Sequence, residues 1–249
     1  TDRIRELLPK LKDFVQTELL PLEKEYNRKK FSQLARELEA KREKIKALGL
    51  WGLHLPKNEG GLGLTLCEFG QLSEVLAYAP LFGHYAFNCQ APDIGNMELL
   101  SRFANQEIKE KFLHGLLEGK TRSCFGMTEP EFAGSNPTRL ATTAVKDGNE
   151  YVINGHKWFT SGADGAAFCI VMAVTNPEAP AHQRASMIVV PANTKGFKIE
   201  RNVPVFGHDG DGWASHAECT FTNCRVPVSY LIGEEGMGFK LAQERLGDV

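Results

Sequence analysis

Two segments in the middle of the chain carry residue types that could hold a planar cofactor. Residues 125–136 contain hydroxyl side chains and a Gly-Ser pair, and residues 154–162 contain an indole next to a threonine. The backbone N–H groups of a Gly-Ser turn can approach an anion, while an aromatic face and short donors suit the ring and the polar edge of a flavin. Each segment on its own resembles a strand that runs into a turn, so a purely structural role is the alternative.

A third glycine-rich segment, residues 233–238, reads Gly-Glu-Glu-Gly-Met-Gly ahead of a helical pattern. Its spacing differs from that of a dinucleotide fingerprint and no strand-helix-strand unit surrounds it, so it predicts a tight turn that opens a helix. The six cysteines show no CxxC pair and no histidine spacing suited to zinc. We therefore expect reduced, structural thiols and no metal site.

Composition and charge narrow the class of protein. Lys and Arg total 29 against 31 for Asp and Glu, so there is no basic excess that would predict a nucleic-acid partner. No apolar stretch approaches the roughly 20 residues needed to span a bilayer, and residues 1–12 are charged rather than signal-like. A targeting peptide could already have been removed, so the sequence leaves the compartment open.

Helical periodicity dominates the chain to about residue 120. Apolar residues recur at three- and four-residue steps after Pro9, which suits the first turn of a helix, and a second stripe stops at Gly49. Thr65 and Glu68 predict a capping box for a further helix. Asn105 is a favourable N-cap for the last helix of this region.

From about residue 121 the periodicity changes to two and β-forming residues dominate, with Asp147-Gly148 as a hairpin signal. Short runs joined by turns, with no helix between them, favour an antiparallel sheet or barrel over a βαβ unit. The runs are residues 150–154, 167–174, 186–190, 197–200 and 218–221.

The predicted fold class is α+β in three parts. Residues 1–120 form an all-α domain, residues 121–232 form an antiparallel β-barrel-like domain, and residues 233–249 begin a C-terminal helical domain. The helical pattern from Gly238 to Leu246 is an apolar start with no partner behind it, and such helices gain most of their stability from packing. We therefore expect the C-terminal helical bundle to be missing or only begun.

Several sequence elements, in order along the chain, resemble signatures of the acyl-CoA dehydrogenase family. They are Leu-Pro-Lys-Asn-Glu-Gly-Gly-Leu-Gly at 55–63, Met-Thr-Glu-Pro and Ala-Gly-Ser within 125–136, Asn-Gly-His-Lys-Trp-Phe-Thr-Ser-Gly at 154–162, Cys-Arg-Val-Pro at 224–227 and Leu-Ile-Gly-Glu-Glu-Gly-Met-Gly-Phe-Lys at 231–240. Together they cover nearly the whole chain. Residues 176–182 and 242–247 resemble, in detail, the branch of mammalian family members ten and eleven.

The resemblance implies an FAD site. Phe125, Met127 and Thr128 would line the pyrimidine end of the isoalloxazine, Trp158 would stack by the flavin, and Thr160 would hydrogen-bond near N5. The cofactor-binding residues that it implies are Phe125, Met127, Thr128, Gly134, Ser135, Trp158, Phe159 and Thr160.

Two of the implied positions also concern the substrate. Gly134 and Ser135 would lie beside the cofactor phosphates, with Ser135 facing the thioester ligand. His182 stands where the family often contacts the adenine end of CoA, although an exposed loop histidine is the alternative. The phosphate turn departs from the commoner pattern, because three residues separate Pro130 from Gly134 where many members have two, and Asn136 replaces the usual Asp. This turn therefore matches the family pattern less closely than the segment with Trp158 and Thr160 does.

The implied reaction is oxidation of acyl-CoA to trans-2-enoyl-CoA, as in fatty acid β-oxidation, with electrons passed to an electron-transferring flavoprotein. A base removes the weakly acidic α-proton while a β-hydride moves to flavin N5, so the base must be positioned and the enolate-like oxygen stabilised. The implied partners are acyl-CoA, the electron-transferring flavoprotein and further copies of the chain, in a homodimer or homotetramer.

The sequence offers no catalytic base. One of the two family positions for the base falls at Val249, which cannot accept a proton, and Glu244 is five residues earlier and reads as a surface charge. We therefore expect the base in a C-terminal domain, and poor FAD binding by this chain alone. An acyl-CoA oxidase and a non-catalytic protein that binds flavin or acyl-CoA are the alternatives.

Overall fold

The computed structural model describes residues 1–26 and 28–246, in two compact units, the first from Thr1 to Ile94 and the second from Gly95 onward. The change of periodicity predicts a domain boundary near residue 120. The division into compact units places the helices after Ile94 with the sheet, and the boundary near residue 120 stays a prediction.

The first unit is helical. Its helices are α1 (Asp2–Phe14), α2 (Leu20–Tyr26), α3 (Phe31–Ala47), α4 (Leu66–Leu76) and α5 (Gly83–Ala86), with a π-helical turn at Val15–Leu19 and a 3₁₀ turn at Lys57–Glu59. Helix α1 begins before the predicted start, because the Thr1 hydroxyl accepts a hydrogen bond from the backbone N–H of Ile4 at 3.4 Å. Pro9 consequently lies inside the helix rather than in its first turn, and that prediction was wrong.

Helix α4 confirms the predicted capping box. Thr65 Oγ1 accepts from the Glu68 N–H at 3.3 Å, and the Glu68 carboxylate accepts from the Thr65 N–H at 3.0 Å. The apolar faces of α1, α3 and α4 meet in one core that includes the buried side chains of Leu11, Ile45 and Leu72. Burial of these apolar faces stabilises helices that would be only marginally stable in isolation.

Helix α6 (Asp93–Phe103) begins two residues before the division between the units. It is followed in the second unit by α7 (Gln106–Ile108) and α8 (His114–Leu117), with a π-helical turn at Lys109–Leu113. Asn105 caps α7 as predicted, since its Oδ1 accepts from the Ile108 N–H at 3.0 Å. A last helix, α9 (Gly238–Arg245), follows the sheet.

One eight-stranded sheet forms the rest of the second unit. Its paired strands run in the order β6-β7-β3-β2-β4-β5-β8, and β1 lies beside β4. The strands are β1 (Ser123–Gly126), β2 (Thr143–Asp147), β3 (Glu150–Ser161), β4 (Phe168–Val174), β5 (Ala185–Pro191), β6 (Phe197–Asn202), β7 (His216–Pro227) and β8 (Leu231–Ile232), with 3₁₀ turns at Ala181–Gln183, Gly212–Ala214 and Val228–Tyr230.

Most strand pairs are antiparallel, as the sequence predicts. The hairpin between β2 and β3 is confirmed, with Asp147 opposite Glu150 and Gly148 at a φ of +60°. Strand β1 departs from the prediction because it pairs with β4 in parallel, and β2 meets β4 in parallel at one position. Strands β4 and β5 form the most buried part of the sheet, which accounts for their continuous apolar sequences.

Residues 233–238 form the predicted turn into α9, with Gly233 and Gly236 at positive φ. None of the six cysteines, all of which lie within the described residues, forms a disulfide. Across residues 1–26 and 28–246, no group of His, Cys, Asp and Glu side chains is arranged to hold a metal ion. In the same residues, no helix combines the length and the apolar character needed to cross a membrane.

Candidate functional site

A cleft of about 630 Å³ opens in the second unit, within the size range of small-molecule sites. It is lined by residues from β1, the loop that follows β1, β3, the turn before β5, and α9. The lining residues are Phe125, Met127, Thr128, Gly134, Ser135, Asn136, Pro137, Thr138, Phe159, His182, Phe239, Ala242, Gln243, Arg245 and Leu246. The structure therefore brings most of the predicted site residues together in one place.

A buried ion pair fixes the loop that forms one wall of the cleft. Lys157 Nζ lies 2.8 Å from Glu129 Oε1, and both side chains are almost fully buried. Lys157 also donates to the carbonyl oxygen of Met127 at 2.9 Å. Burial lowers the pKa of Lys157, against the opposing effect of the Glu129 charge. Because neither charge has access to water, each depends on the other.

The Glu129 carboxylate also closes the far end of the same loop. It accepts hydrogen bonds from the backbone N–H groups of Ala141 at 2.6 Å and Thr142 at 2.9 Å. Burial acts to raise the pKa of Glu129, but the Lys157 charge and these hydrogen bonds outweigh it and leave the pKa lowered. One carboxylate thus joins the start of the loop, its end and strand β3.

A bulge in β3 turns Phe159 toward the cleft. The register between β3 and β7 shifts between Lys157 and Thr160, and Phe159 has a φ of +48°. Simple alternation would bury Phe159 with Lys157, whereas the extra residue leaves Phe159 exposed and buries Thr160. Positive φ is a true outlier for a bulky side chain.

Trp158 and Thr160 do not line the cleft, although the family resemblance implies that they contact the flavin. The backbone N–H of Trp158 donates to the Thr128 carbonyl at 3.0 Å, and the Trp158 ring packs edge-on against the Phe159 ring with centroids 5.0 Å apart. Thr160 Oγ1 is buried without a nitrogen or oxygen partner among the described residues, beside the Cys219 thiol. Trp158 thus contacts two lining residues, Thr128 and Phe159, without lining the cleft itself.

The Gly134-Ser135 turn is spatially constrained. A Cβ atom at Gly134 would lie 2.8 Å from Thr128 Cγ2, so a larger residue would displace the Thr128 side chain. Asn136, which stands where the family usually has Asp, accepts hydrogen bonds at its Oδ1 from the backbone N–H of Thr138 at 3.2 Å and from its hydroxyl at 2.7 Å. The unusual residue therefore shapes the turn itself.

Helix α9 supplies lining residues that the sequence analysis missed. Phe239, Ala242 and Leu246 follow the spacing i, i+3, i+7 of one helix face, and this pattern could have identified them. The Phe239 ring meets His182 edge-on, with centroids 4.5 Å apart, which gives the exposed His182 a fixed neighbour at the cleft. Arg245, on the same helix, was missed as well.

No carboxylate lines the cleft among the described residues. Glu244, which the sequence predicts to be a surface charge and not the base, accepts a hydrogen bond from Arg102 at 2.7 Å in an ion pair. Val249, the other position considered, lies outside the described residues.

A histidine clamp joins the cleft loop to the sheet. His156 Nδ1 lies 2.9 Å from Glu131, and His156 Nε2 lies 2.9 Å from Glu218. Both nitrogens face carboxylate oxygens, and only the protonated imidazole can donate from both. Burial acts to lower the pKa of His156, but the two carboxylates outweigh it and raise the pKa above its ordinary value.

Comparison with protein-family models assigns the class. The model for the acyl-CoA dehydrogenase N-terminal domain matches residues 1–120, and the model for the acyl-CoA dehydrogenase middle domain matches residues 124–224. The chain belongs to the acyl-CoA dehydrogenase family, whose members are flavoproteins that typically depend on FAD. The predicted fold, a helical domain followed by a β-sheet domain, is confirmed.

Three relatives give the scale of the similarity. The chain is 40% identical over 255 residues to acyl-CoA dehydrogenase family member 10 of Mus musculus, covering 98% of this chain and 24% of that protein. It is 46% identical over 213 residues to the probable acyl-CoA dehydrogenase FadE2 of Mycobacterium tuberculosis, covering 84% and 51%. A solved structure from Mycobacterium abscessus, assigned to the acyl-CoA dehydrogenases, matches with a TM-score of 0.92 and 40% identity, covering 99% and 64%. The predicted likeness to family member ten is confirmed. The chain spans about half or less of the length of these curated relatives.

The buried ion pair yields a stability prediction. Lys157→Met leaves the Glu129 carboxylate buried without its cation, and we expect a loss of about 3–5 kcal/mol in the free energy of unfolding. The double variant Glu129→Gln/Lys157→Met removes both charges and should recover part of this loss. Urea unfolding measures both values. Lys146→Met, at an exposed position of β2, is the matched control and should change stability by about 0.5 kcal/mol or less. A Lys157→Met loss as small as that of the control would contradict the role of the pair.

The histidine clamp yields a pH prediction. Because the pKa of His156 is raised in the folded state, its stabilising contribution is present below about pH 6.5, the ordinary histidine pKa, and is lost as the pH rises through the folded-state pKa. The stability difference between wild type and His156→Gln should therefore be larger at pH 5.5 than at pH 8.5, by about 0.5 kcal/mol for such partly exposed pairs.

Denaturant unfolding at the two pH values measures this difference. His114 is exposed and makes no ion pair within the described part of the chain, so His114→Gln should leave the pH dependence unchanged. An equal His156→Gln effect at both pH values would show that the clamp does not depend on protonation.

Proposed function

We propose that the chain is the flavin-binding portion of an FAD-dependent acyl-CoA dehydrogenase. The proposal rests on one observation. The end of β1, the Gly134-Ser135 turn and the bulge at Phe159 all line the same cleft. These are the segments that the family resemblance implies for the cofactor. The proposed reaction is α,β-dehydrogenation of acyl-CoA thioesters to trans-2-enoyl-CoA.

The cleft residues fit a flavin in size and chemistry. Phe125 and Met127 offer apolar surface for a planar ring, while the hydroxyls of Thr128 and Ser135 are short donors for its polar edge. The Gly134-Ser135 turn offers backbone N–H groups to the cofactor phosphates. When bound, FAD supplies the acceptor for the substrate hydride.

The protein's own contribution is to bind, orient and exclude water. The loop pinned by Glu129 and Lys157 holds Thr128 and Ser135 on a fixed support, which limits the loss of freedom when a ligand binds. On the other side of the cleft, Phe239 and His182 form an aromatic pair for the CoA portion of the substrate. We assign electron transfer to an electron-transferring flavoprotein, and the working form to a homodimer or homotetramer.

A second candidate function is a non-catalytic protein that binds flavin or acyl-CoA. It is favoured by the observation that none of the described residues lining the cleft is a carboxylate. Without a base near the α-carbon, the thioester is bound but its α-proton stays in place. We therefore propose that the 249-residue chain by itself does not oxidise acyl-CoA.

The visible absorption spectrum of the chain with added FAD, recorded without oxygen before and after addition of acyl-CoAs, tests the flavin site and the proposed inactivity of the chain by itself. At a protein concentration high enough to offset the poor FAD binding expected of this chain alone, we expect a flavin band perturbed by binding that does not bleach with acyl-CoA, because no described cleft residue is a base. Bleaching would contradict the proposed inactivity of the chain. A spectrum identical to that of free FAD would contradict the flavin site.

Glycine variants test whether the cleft is the site of binding. Gly134→Ala adds a methyl group 2.8 Å from Thr128 Cγ2, and we expect it to weaken FAD binding about tenfold, the effect of about 1.4 kcal/mol. Gly70→Ala is the control, since a methyl group there meets nothing within 4 Å. Equal FAD affinities in the two variants would place the flavin elsewhere.

A further inference from the structure

The stretch of loop that carries the Gly134-Ser135 turn is exposed and held to the sheet at one point. Residues 131–136 are all described and all exposed, and the last three of them line the cleft. Within this stretch, the contact between Glu131 and His156 is the one side-chain hydrogen bond or ion pair that reaches a strand. The position of the turn at the cleft therefore depends on His156, which does not line the cleft itself.

This contact is complete only when the imidazole carries two protons. His156 Nδ1 lies 2.9 Å from a Glu131 oxygen, and Nε2 lies 2.9 Å from a Glu218 oxygen. A neutral imidazole donates from one nitrogen and presents a lone pair at the other, so it bonds one carboxylate and repels the second. The protonated ring bonds both. Histidine changes its charge between about pH 5 and pH 8.

Glu131 is the carboxylate that is released when the proton leaves. The Glu218 side chain is 18% exposed, lies on β7 and also accepts from Arg201 Nε at 2.7 Å. The Glu131 side chain is 52% exposed, lies on the loop and has no second hydrogen-bond or ion-pair partner among the described residues. Water can therefore replace His156 around Glu131 at little cost, whereas Glu218 keeps Arg201.

The other charges that face His156 come from β6 and β3. Glu200 on β6 has a lowered pKa, owing first to Lys198 and to a smaller extent to the positive charge of His156. Arg201 on β6 and the buried Lys157 on β3 disfavour a protonated ring. Burial also acts to lower the pKa of His156, but the hydrogen bonds to its two carboxylates outweigh this effect and raise the pKa. The contact is therefore complete at low pH and is lost as the pH rises through that pKa.

We propose that His156 is a positioning residue of the cleft, which in its protonated form holds the Gly134-Ser135 turn, through Glu131, in the conformation that receives the ligand. This role rests on the proposed function and gives ligand binding a pH dependence that originates outside the cleft. When only a fraction of the molecules has the competent conformation, the apparent affinity falls by that fraction. Binding should thus weaken as the pH rises.

The test measures the affinity for FAD at pH 5.5 and pH 8.5 by calorimetric titration, at a protein concentration high enough to detect weak binding. His156→Gln is neutral at both pH values, His156→Arg is charged at both, and Glu131→Gln removes the exposed carboxylate from the loop. His114→Gln is the matched control, because His114 is exposed on α8 and does not line the cleft. Thermal unfolding shows whether each variant is folded.

At pH 5.5 we expect His156→Gln and Glu131→Gln to bind FAD about two- to fivefold more weakly than wild type, the range that partly exposed ion pairs contribute. At pH 8.5 wild type should have lost this advantage, whereas His156→Arg should keep it at both pH values. His114→Gln should follow wild type. His182 lines the cleft in every variant, so an effect of its charge is common to all of them.

Hydrogen exchange in the turn tests the same role without a ligand. The backbone N–H of Asn136 donates to the Ala133 carbonyl at 3.0 Å, and that of Arg139 donates to the Asn136 carbonyl at 3.1 Å. Exchange reports how often such hydrogen bonds open. After correction for the intrinsic effect of pH on exchange, both groups should exchange about two- to fivefold faster in His156→Gln than in wild type at pH 5.5. At pH 8.5 the rates should be equal.

Three results would overturn the positioning role. The first is a ratio of wild-type to His156→Gln affinity that is the same at both pH values, because a side chain that serves only packing acts equally at both. The second is a His156→Arg variant that binds FAD as weakly as His156→Gln does. The third is equal exchange in wild type and His156→Gln at pH 5.5. If wild type binds no FAD at either pH, the flavin proposal is contradicted, and the exchange rates alone decide the role of His156.

Discussion

The buried pair of Lys157 and Glu129 is the interaction on which the candidate site depends. Two charges without access to water are stable only when each is neutralised and its remaining hydrogen-bonding capacity is used. Here Lys157 also donates a hydrogen bond to the Met127 carbonyl, and Glu129 also accepts hydrogen bonds from the backbone N–H groups of Ala141 and Thr142. A hydrophobic pair could fill the same volume, but it could not hold three backbone segments at once. The charge pair thus ties both ends of a long irregular loop to strand β3, and this loop forms one wall of the cleft.

The β3 bulge follows from the same anchoring. Lys157 faces inward to reach Glu129, Thr160 is buried two residues beyond Trp158, and the intervening chain must accommodate an extra residue. The result is a positive φ at Phe159, which costs on the order of 1–3 kcal/mol and persists only when the surrounding structure determines it. Such outliers cluster at ligand sites, and this one presents an aromatic ring to the cleft.

Features governed by local rules were predictable from the sequence. The capping box at Thr65 and Glu68, the N-cap at Asn105 and the hairpin at Gly148 each depend on residues within a few positions of one another. The helical start at Pro9 was wrong for an equally local reason, since a cap at Thr1 came first.

Features set by long-range contacts were not predictable in this way. The parallel pairing of β1 with β4 joins segments more than 40 residues apart, and periodicity carries no information on strand direction. In the site, the family motifs located the cleft loop and the His182 turn. The motifs could not reveal the bulge that removes Thr160 from the lining, nor the link between Arg245 and Asn96, residues separated by 149 positions.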